Sequence, residues 1–161
     1  MNIAAAKNDA MNSLESEAAK ALGYIIFEFT RLDMELGLLL VWSDDGRKFE
    51  QLTKELGESN FNRKLALLKE KANLKYKDTS ALKNYSSWLR KAHEVRILRN
   101  DFFHGRWGFI PEQQCVSNVV GLPTSPEQTE TRYTVAQLQE SLGKISALRN
   151  QLNELRSEWP V

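Results

Sequence analysis

Apolar residues recur at helical spacing along most of this chain. From Leu14 to Trp42 they repeat every three or four positions, which predicts one long amphipathic helix that starts at a Ser13 cap. The same spacing returns between Thr134 and Trp159 and predicts a terminal helix. Residues 1–12 are expected to be frayed or weakly helical. The first and last helices are long enough for a leftover apolar stripe to support a dimer.

Shorter helices are predicted between these two long ones. Their ends are marked by capping residues, by glycines and by a break at 76–78. The predicted boundaries are Phe49–Leu56 before Gly57, a helix started by Asn60 or Asn62, and a helix capped by Thr79 or Ser80 that ends at Gly105.

The pattern changes after Gly105. The segments RWGFI, CVSNVVGLP and TRYTV are short, carry β-branched and aromatic residues, and are separated by Pro and Gly. They predict a β hairpin or a three-stranded meander within residues 106–134. The expected fold is therefore mainly α: an antiparallel helical bundle, residues 1–161 as one domain, with a small β insertion before the C-terminal helix.

Composition restricts the chemistry that the chain could carry. One cysteine, Cys115, cannot form an internal disulfide, and with only two histidines a zinc site is very improbable, so we expect neither a metal nor a cofactor. Cys115 itself is expected to be a small buried apolar residue. The longest apolar run is too short to span a bilayer, and the N-terminus lacks the apolar core of a signal peptide, which favours a cytoplasmic protein without a membrane partner.

Charge is distributed unevenly along the chain. The net charge is +1, but residues 61–106 contain twelve Lys/Arg and four Asp/Glu, a net of +8, and the remainder carries −7. A basic segment of this kind fits a phosphate-bearing partner such as RNA. A lysine-rich solvated surface is the alternative interpretation.

A polar stripe is predicted at the end of the helix before Gly105. At about 100° per residue, Arg96, Asn100 and His104 lie along one face. Arg99 flanks this stripe, about 140° from His104 on an ideal helix. Asp101 lies further round, where exposure to solvent or a salt bridge is expected.

These residue types could support metal-free cleavage of RNA. Histidine transfers protons near neutral pH, arginine binds a charged phosphate, and asparagine orients a hydroxyl or a phosphate oxygen. One histidine cannot easily act as base and acid in the same step, but two copies across a dimer could. The alternative is a histidine that is merely stabilised by the helix C-terminus.

The segment Arg99–His104 resembles the R-x4-H motif of HEPN domains, in which a polar residue, often Asn, follows the arginine. Gly105 and Trp107 extend the likeness to the "RN…HG.W" form of small HEPN-like proteins from bacteria and their phages. The helical layout, with the motif near the end of a late helix, is similar too. The resemblance implies a metal-independent endoribonuclease whose site is built from two motifs at a homodimer interface.

The resemblance also implies residue roles and a biological setting. Arg99 and His104 would be catalytic and Asn100 would support them, with Arg96 and Asp101 as further supporting candidates. Such proteins often act as toxins or in phage defence, so an antitoxin or a regulatory protein is an expected partner. Toxins paired with a nucleotidyltransferase antitoxin often carry a tyrosine two residues after the histidine. Arg106 occupies that position here, which argues against regulation by adenylylation.

Two further hypotheses stay open at this point: a non-catalytic module that binds RNA or protein through the basic face, and a helical interaction protein whose motif is coincidental. Other residues carry simpler expectations. They are His93 as a surface residue, Tyr85 and Trp88 in the core or an interface, Trp107 packed on the bundle, and Glu28, Arg31 and Glu35 as a solvated or interface stripe.

Overall fold

The computed structural model describes residues 3–161, with side chains from residue 11 onward. Within this range the chain is mainly helical, with a small antiparallel sheet before the last helix, as predicted. The helices are α1 (Ile3–Val41), α2 (Phe49–Gly57), α3 (Phe61–Lys75), α4 (Ser80–His104) and α5 (Val135–Glu158), with 3-10 turns at Ser43–Gly46 and Pro111–Gln113. The strands are β1 (Arg106–Ile110), β2 (Cys115–Val120) and β3 (Thr129–Tyr133).

The helix boundaries follow the capping residues in most places. The Asn60 side chain accepts a hydrogen bond from the Arg63 backbone N–H (2.9 Å), and Thr79 Oγ1 accepts one from Leu82 (3.3 Å). The predicted start at Ser13 is wrong, because α1 begins at Ile3. Residues 3–12, expected to be frayed or weakly helical, are helical: they are rich in alanine and contain neither glycine nor proline. Residues 1 and 2 of that predicted segment lie outside the described part of the chain.

The sheet has the strand order β1-β2-β3, with both pairs antiparallel. Asn118 on β2 lies opposite Trp107 on β1 and Thr131 on β3, whereas Val116 lies opposite Phe109 and Tyr133. Because alternate residues share a face, these cross-strand rows place Trp107 and Tyr133 on the same side of the sheet as Asn118 and Val116. Asn118, Val116 and Cys115 are buried, the last as predicted.

The chain divides into two compact units. Unit 1 comprises the described residues up to Phe27 together with Leu98–Lys144, and unit 2 comprises Glu28–Ile97 with Ile145–Val161. The long helices α1, α4 and α5 therefore contribute residues to both. Unit 1 contains the whole sheet and the last turns of α4. Unit 2 contains α2, α3 and most of α4.

Helix directions in unit 2 differ in part from the predicted antiparallel bundle. α4 and α5 are antiparallel: the Tyr85 hydroxyl donates to Trp159 O (2.7 Å), and Lys91 Nζ donates to Gln151 (3.3 Å). α1 and α3 run in the same direction, because Phe29 contacts Phe61 and Asp33 contacts Lys64. The turn Ser43–Gly46 and α2 form a connection long enough for α3 to return to this orientation.

Buried ion pairs join α1 to its neighbours in unit 2. Lys64 Nζ lies 2.7 Å from Asp33 Oδ1, and the lysine side chain is only 9% exposed. Arg149 of α5 lies 3.2 Å from Glu28 and 3.6 Å from Glu35. Ser146 also donates to Glu28 (3.2 Å). Of the predicted solvated or interface stripe on α1, Glu28 and Glu35 thus contact α5, whereas Arg31 is exposed. Tyr85 and Trp88 are buried in the core, as predicted.

Candidate active site at the end of helix α4

The last turn of α4 runs directly into the sheet. Only Gly105 separates the helix, which ends at His104, from β1, which begins at Arg106. The last carbonyls of a helix lack partners within the helix, so the neighbouring segments must satisfy them. Gly105 N–H donates to Asp101 O (2.9 Å), and the Trp107 indole N–H donates to Phe102 O (3.0 Å).

Asn118 completes this cap from β2. With its amide oriented to satisfy its neighbours, Nδ2 donates to Asp101 O and Oδ1 accepts from the Trp107 indole, both at 3.3 Å. A Cβ at position 105 would lie only 2.2 and 2.3 Å from the two terminal atoms of the Asn118 amide. Glycine is therefore required here by the close approach of a buried amide, and it does not adopt the left-handed conformation typical of a C-terminal cap.

An aromatic cluster supports the same helix end. The ring of Phe102 lies 5.4 Å from that of Trp107 and 5.2 Å from that of Tyr133, both close to edge-to-face. The prediction that Trp107 packs is confirmed. Burial raises the pKa of Tyr133; a hydrogen bond with Thr131 opposes this and the Asp101 carboxylate adds to it. Asp101, for which exposure to solvent or a salt bridge is predicted, is half-buried.

Arg99 and His104 both contact Phe103. The Arg99 guanidinium carbon lies 4.6 Å above the centre of the Phe103 ring, and the His104 ring centre lies 6.2 Å from it. Arg99 Nη1 also donates to Asn100 Oδ1 at 3.1 Å. Three residues of the predicted site are therefore held around one exposed aromatic ring. Sequence reasoning missed Phe103, although an aromatic residue between the two motif positions was the available signal.

A cleft of about 240 Å³ lies beside Arg99 in unit 1. Its lining is mainly apolar and comes from α1 (Leu22, Ile25 and Ile26), from α4 (Phe102 and Phe103 with Arg99) and from Trp107. Ile26 and Phe103 are exposed at 41% and 54%, so the edge of the cleft presents apolar surface to solvent. His104, which follows the cleft residue Phe103 in the chain, is exposed and is not part of the lining.

Arg96 has different neighbours from those predicted. It belongs to unit 2, where its Nη2 lies 3.4 Å from His93 Nε2, and its Nε is buried without a hydrogen bond. His93 is exposed, as predicted. The contact that the structure gives Arg96 is thus with the other histidine of the chain.

Comparison with known proteins does not identify a family for this chain. No protein-family model matches the chain, and no curated protein or solved structure shows significant similarity to it. Among residues 3–161, no group of three or more His, Cys, Asp or Glu side chains is arranged to hold a metal ion. No helix in the same range is both long and apolar enough to cross a membrane.

Proposed function

We propose that the chain is a metal-independent endoribonuclease of the HEPN type, with a HEPN-like helical bundle, that acts in the cytoplasm as a homodimer with a composite active site. Arg99 and His104 are its catalytic residues and Asn100 orients the arginine. The observation that carries this proposal is the convergence of Arg99 and His104 on Phe103, beside an open cleft with an apolar edge. A role as a toxin or in phage defence, controlled by an antitoxin or another regulatory protein, belongs to the same proposal.

Exposed apolar residues on α1 support the dimer. Four of them, Tyr24, Phe27, Met34 and Leu38, are between 45% and 60% exposed. Their separations of three, seven and four residues are those of an a/d heptad stripe, which is the pattern of a helix that pairs with another helix. Tyr24 immediately precedes the cleft residue Ile25, and Phe27 immediately follows the cleft residue Ile26. A second copy that covers this stripe in unit 1 would bring a second motif to the cleft.

The chemistry follows from two facing motifs. The ribose 2′-hydroxyl attacks the adjacent phosphorus while His104 of one copy accepts its proton. The bond to the leaving 5′-oxygen breaks as the imidazolium of the second copy's His104 donates a proton to that oxygen. The Arg99 guanidinium stabilises the extra negative charge on the phosphorane. The products are a 2′,3′-cyclic phosphate and a free 5′-hydroxyl.

Cleavage of total cellular RNA in the presence of EDTA tests this function. The wild-type protein should release cyclic-phosphate ends, and His104→Ala or Arg99→Ala should lower the rate by roughly 10²- to 10⁴-fold, as for loss of a general acid–base or of charge stabilisation. Arg156→Ala, which removes an exposed charge from α5, is the matched control and should cut like the wild type. Absence of cleavage by the wild-type dimer on every RNA offered would overturn the proposal.

A non-catalytic RNA- or protein-binding module is the second candidate. It is favoured by contacts of Arg99 within one chain, which include those with the Phe103 ring and the Asn100 amide. This function predicts salt-sensitive binding of RNA, or capture of a protein, without strand scission. Binding that persists in His104→Ala, with no cleavage products from either protein, would support it.

A further inference from the structure

A groove of about 420 Å³ lies between α3 and α4 in unit 2. Its exposed residues are mostly polar or basic, and they include Lys69 on α3 and Arg90 and His93 on α4. None of its lining residues in the described chain is an Asp or a Glu. The groove therefore combines positive charge with an aromatic ring at an accessible surface.

The base of the groove is apolar. Leu65 is 6% exposed, and Leu89, which also lines the groove, is half-buried. A phosphate alone would not need such a surface. A nucleotide would, because its base requires an apolar or aromatic contact while its phosphate requires a cation.

Several basic residues of segment 61–106 form ion pairs within the chain. These residues do not contribute to the positive charge of the groove. Lys64 is paired with Asp33, Lys71 with Asp44 (2.7 Å) and Arg63 with Glu55 (2.7 Å). These three cations stabilise unit 2. Lys69 and Arg90 instead face the groove, where they remain accessible to a ligand.

Two contacts within the chain affect how easily Arg90 and His93 can bind a ligand. Arg90 pairs with Glu94 one turn away, but both side chains are more than 60% exposed, so this pair is weak and a phosphate can replace the carboxylate. Arg96 Nη2, 3.4 Å from His93 Nε2, restrains the imidazole from behind. A restrained ring stacks on a base with less loss of conformational freedom.

We infer that the α3–α4 groove is a binding site for single-stranded RNA, in which Lys69 and Arg90 bind backbone phosphates and one base stacks on His93 above Leu65 and Leu89. The choice of RNA as ligand rests on the proposed function. The site contains none of the catalytic residues, so it holds the strand and leaves bond cleavage to the end of α4.

Binding is measured in the full-length His104→Ala protein, so that RNA is not cut during the experiment. The probe is a short fluorescein-labelled single-stranded RNA of mixed sequence, followed by anisotropy at several salt concentrations. Lys69→Gln with Arg90→Gln should weaken binding about tenfold at low salt and reduce the slope of log K against log salt by about 1.4, or 0.7 for each lost phosphate contact.

Matched controls distinguish the loss of contacts in the groove from a general loss of positive charge. Lys54→Gln with Lys144→Gln removes the same charge elsewhere, and the Lys144–Glu140 pair has the spacing and exposure of the Arg90–Glu94 pair. This control should bind within about twofold of the parent. His93→Ala should weaken binding at least about fivefold, whereas His93→Phe, which keeps a stacking ring, should retain it.

The outcomes distinguish the groove from the nuclease proposal. Equal losses in the groove variant and the charge control, or unchanged affinity in both groove variants, would overturn the RNA site and leave the groove to a protein partner. RNA binding through the groove without cleavage by the protein that retains His104 would instead sink the nuclease and leave the RNA site standing. Circular dichroism and the thermal midpoint confirm folding, since all substituted side chains in the groove are exposed.

Discussion

The two compact units place their arginines and lysines in different surroundings. In unit 2, Lys64 and Arg149 lie against carboxylates, at 2.7 Å from Asp33 and 3.2 Å from Glu28. In unit 1, Arg99 lies over the exposed Phe103 ring at the edge of a cleft. Removing the carboxylate from such a pair leaves a partly buried cation without compensation, which destabilises the fold. A guanidinium over an aromatic ring gains a cation–π attraction, which positions Arg99 at the edge of the cleft.

Under the proposed function, the α4 end of unit 1 and the α3–α4 groove act on RNA, whereas the ion pairs of unit 2 hold α1 against α3 and α5. Substitutions at the α4 end and its apolar edge should then change activity more than folding. Substitutions in the ion-pair network should do the opposite. Each prediction below tests one side of this division.

The largest effect is expected from Phe27→Glu. Phe27 is 60% exposed in the proposed dimer stripe, so a charge there should cost little in the isolated chain but should prevent a second copy from packing. RNA cleavage should fall at least about 100-fold, as expected when a catalytic group of the composite site is lost. Light scattering should report a monomer with an unchanged helical spectrum. Lys20→Glu, an exposed change on the same helix, is the control, and a fully active monomeric Phe27→Glu would contradict the prediction.

Asp33→Ala should destabilise the protein by roughly 3 kcal/mol, because the Lys64 ammonium loses its carboxylate in a nearly buried position. Urea denaturation measures the change. Lys64→Met should cost much less, since Asp33 is a third exposed and can be solvated. Equal losses in the two variants would show that the pair does not act as inferred. Cleavage per folded molecule should be unaffected in both.

Much of the fold could be predicted from these patterns, and the misses have physical causes. The caps at Asn60 and Thr79 were readable because their side chains bond the next turn of the same chain segment. The direction of α3 relative to α1 could not be predicted from the sequence, because it depends on the path of the connection through α2. Burial of Glu28 depends on Arg149, which lies far away in sequence.

The candidate site was predictable only as far as it is local. Arg99, Asn100 and His104 follow from the motif. The roles of Phe103 and Asn118 could be seen only in the structure. The Phe103 ring lies between two motif residues. Asn118 approaches from a strand whose register the sequence does not specify. Arg96 was grouped with the motif by helical periodicity, but its partner is His93.

Gly105→Ala should cost about 1–3 kcal/mol, the usual range for overpacking, because its Cβ would displace the buried Asn118 amide from the end of α4. Gly143→Ala is the matched control: nothing lies within 4 Å of its Cβ, so it should stabilise α5 by about 0.5–1 kcal/mol. Chemical denaturation of both variants gives the comparison.

A double variant tests whether the close approach of Asn118 to position 105 causes this loss of stability. Asn118→Ala in the Gly105→Ala background removes the obstructing amide, so the double variant should be more stable than the sum of the two single losses. Strict additivity would mean that Gly105 is needed for another reason.

The smallest expected effect is on the pH dependence of the stability of the fold. The hydrogen bond and charge of Lys71 lower the pKa of Asp44, and Lys75 and Lys48 add to this. A depressed carboxyl pKa stabilises the fold above the unfolded value, near 3.8, and this stabilisation disappears as pH falls through the lower folded pKa. Asp44→Asn keeps the left-handed backbone (φ 54°) and should be less stable than wild type at pH 6 but equal to it at the acid end of the titration.

Asp45→Asn shares this backbone conformation (φ 58°) and controls for it. An Asp44→Asn profile parallel to that of wild type would exclude the Lys71 pair as a contributor.

The proximity of two α4 ends in solution is the most direct test of the central claim. A His104→Cys protein on a Cys115→Ser background, treated with a short bismaleimide, should give a covalent dimer in high yield. A Lys54→Cys protein on the same background should stay single-chain. Cross-linking at His104→Cys that exceeds this control would place both motifs at one shared site. A non-covalent dimer that cross-links at neither position, or only at Lys54→Cys, would contradict the account.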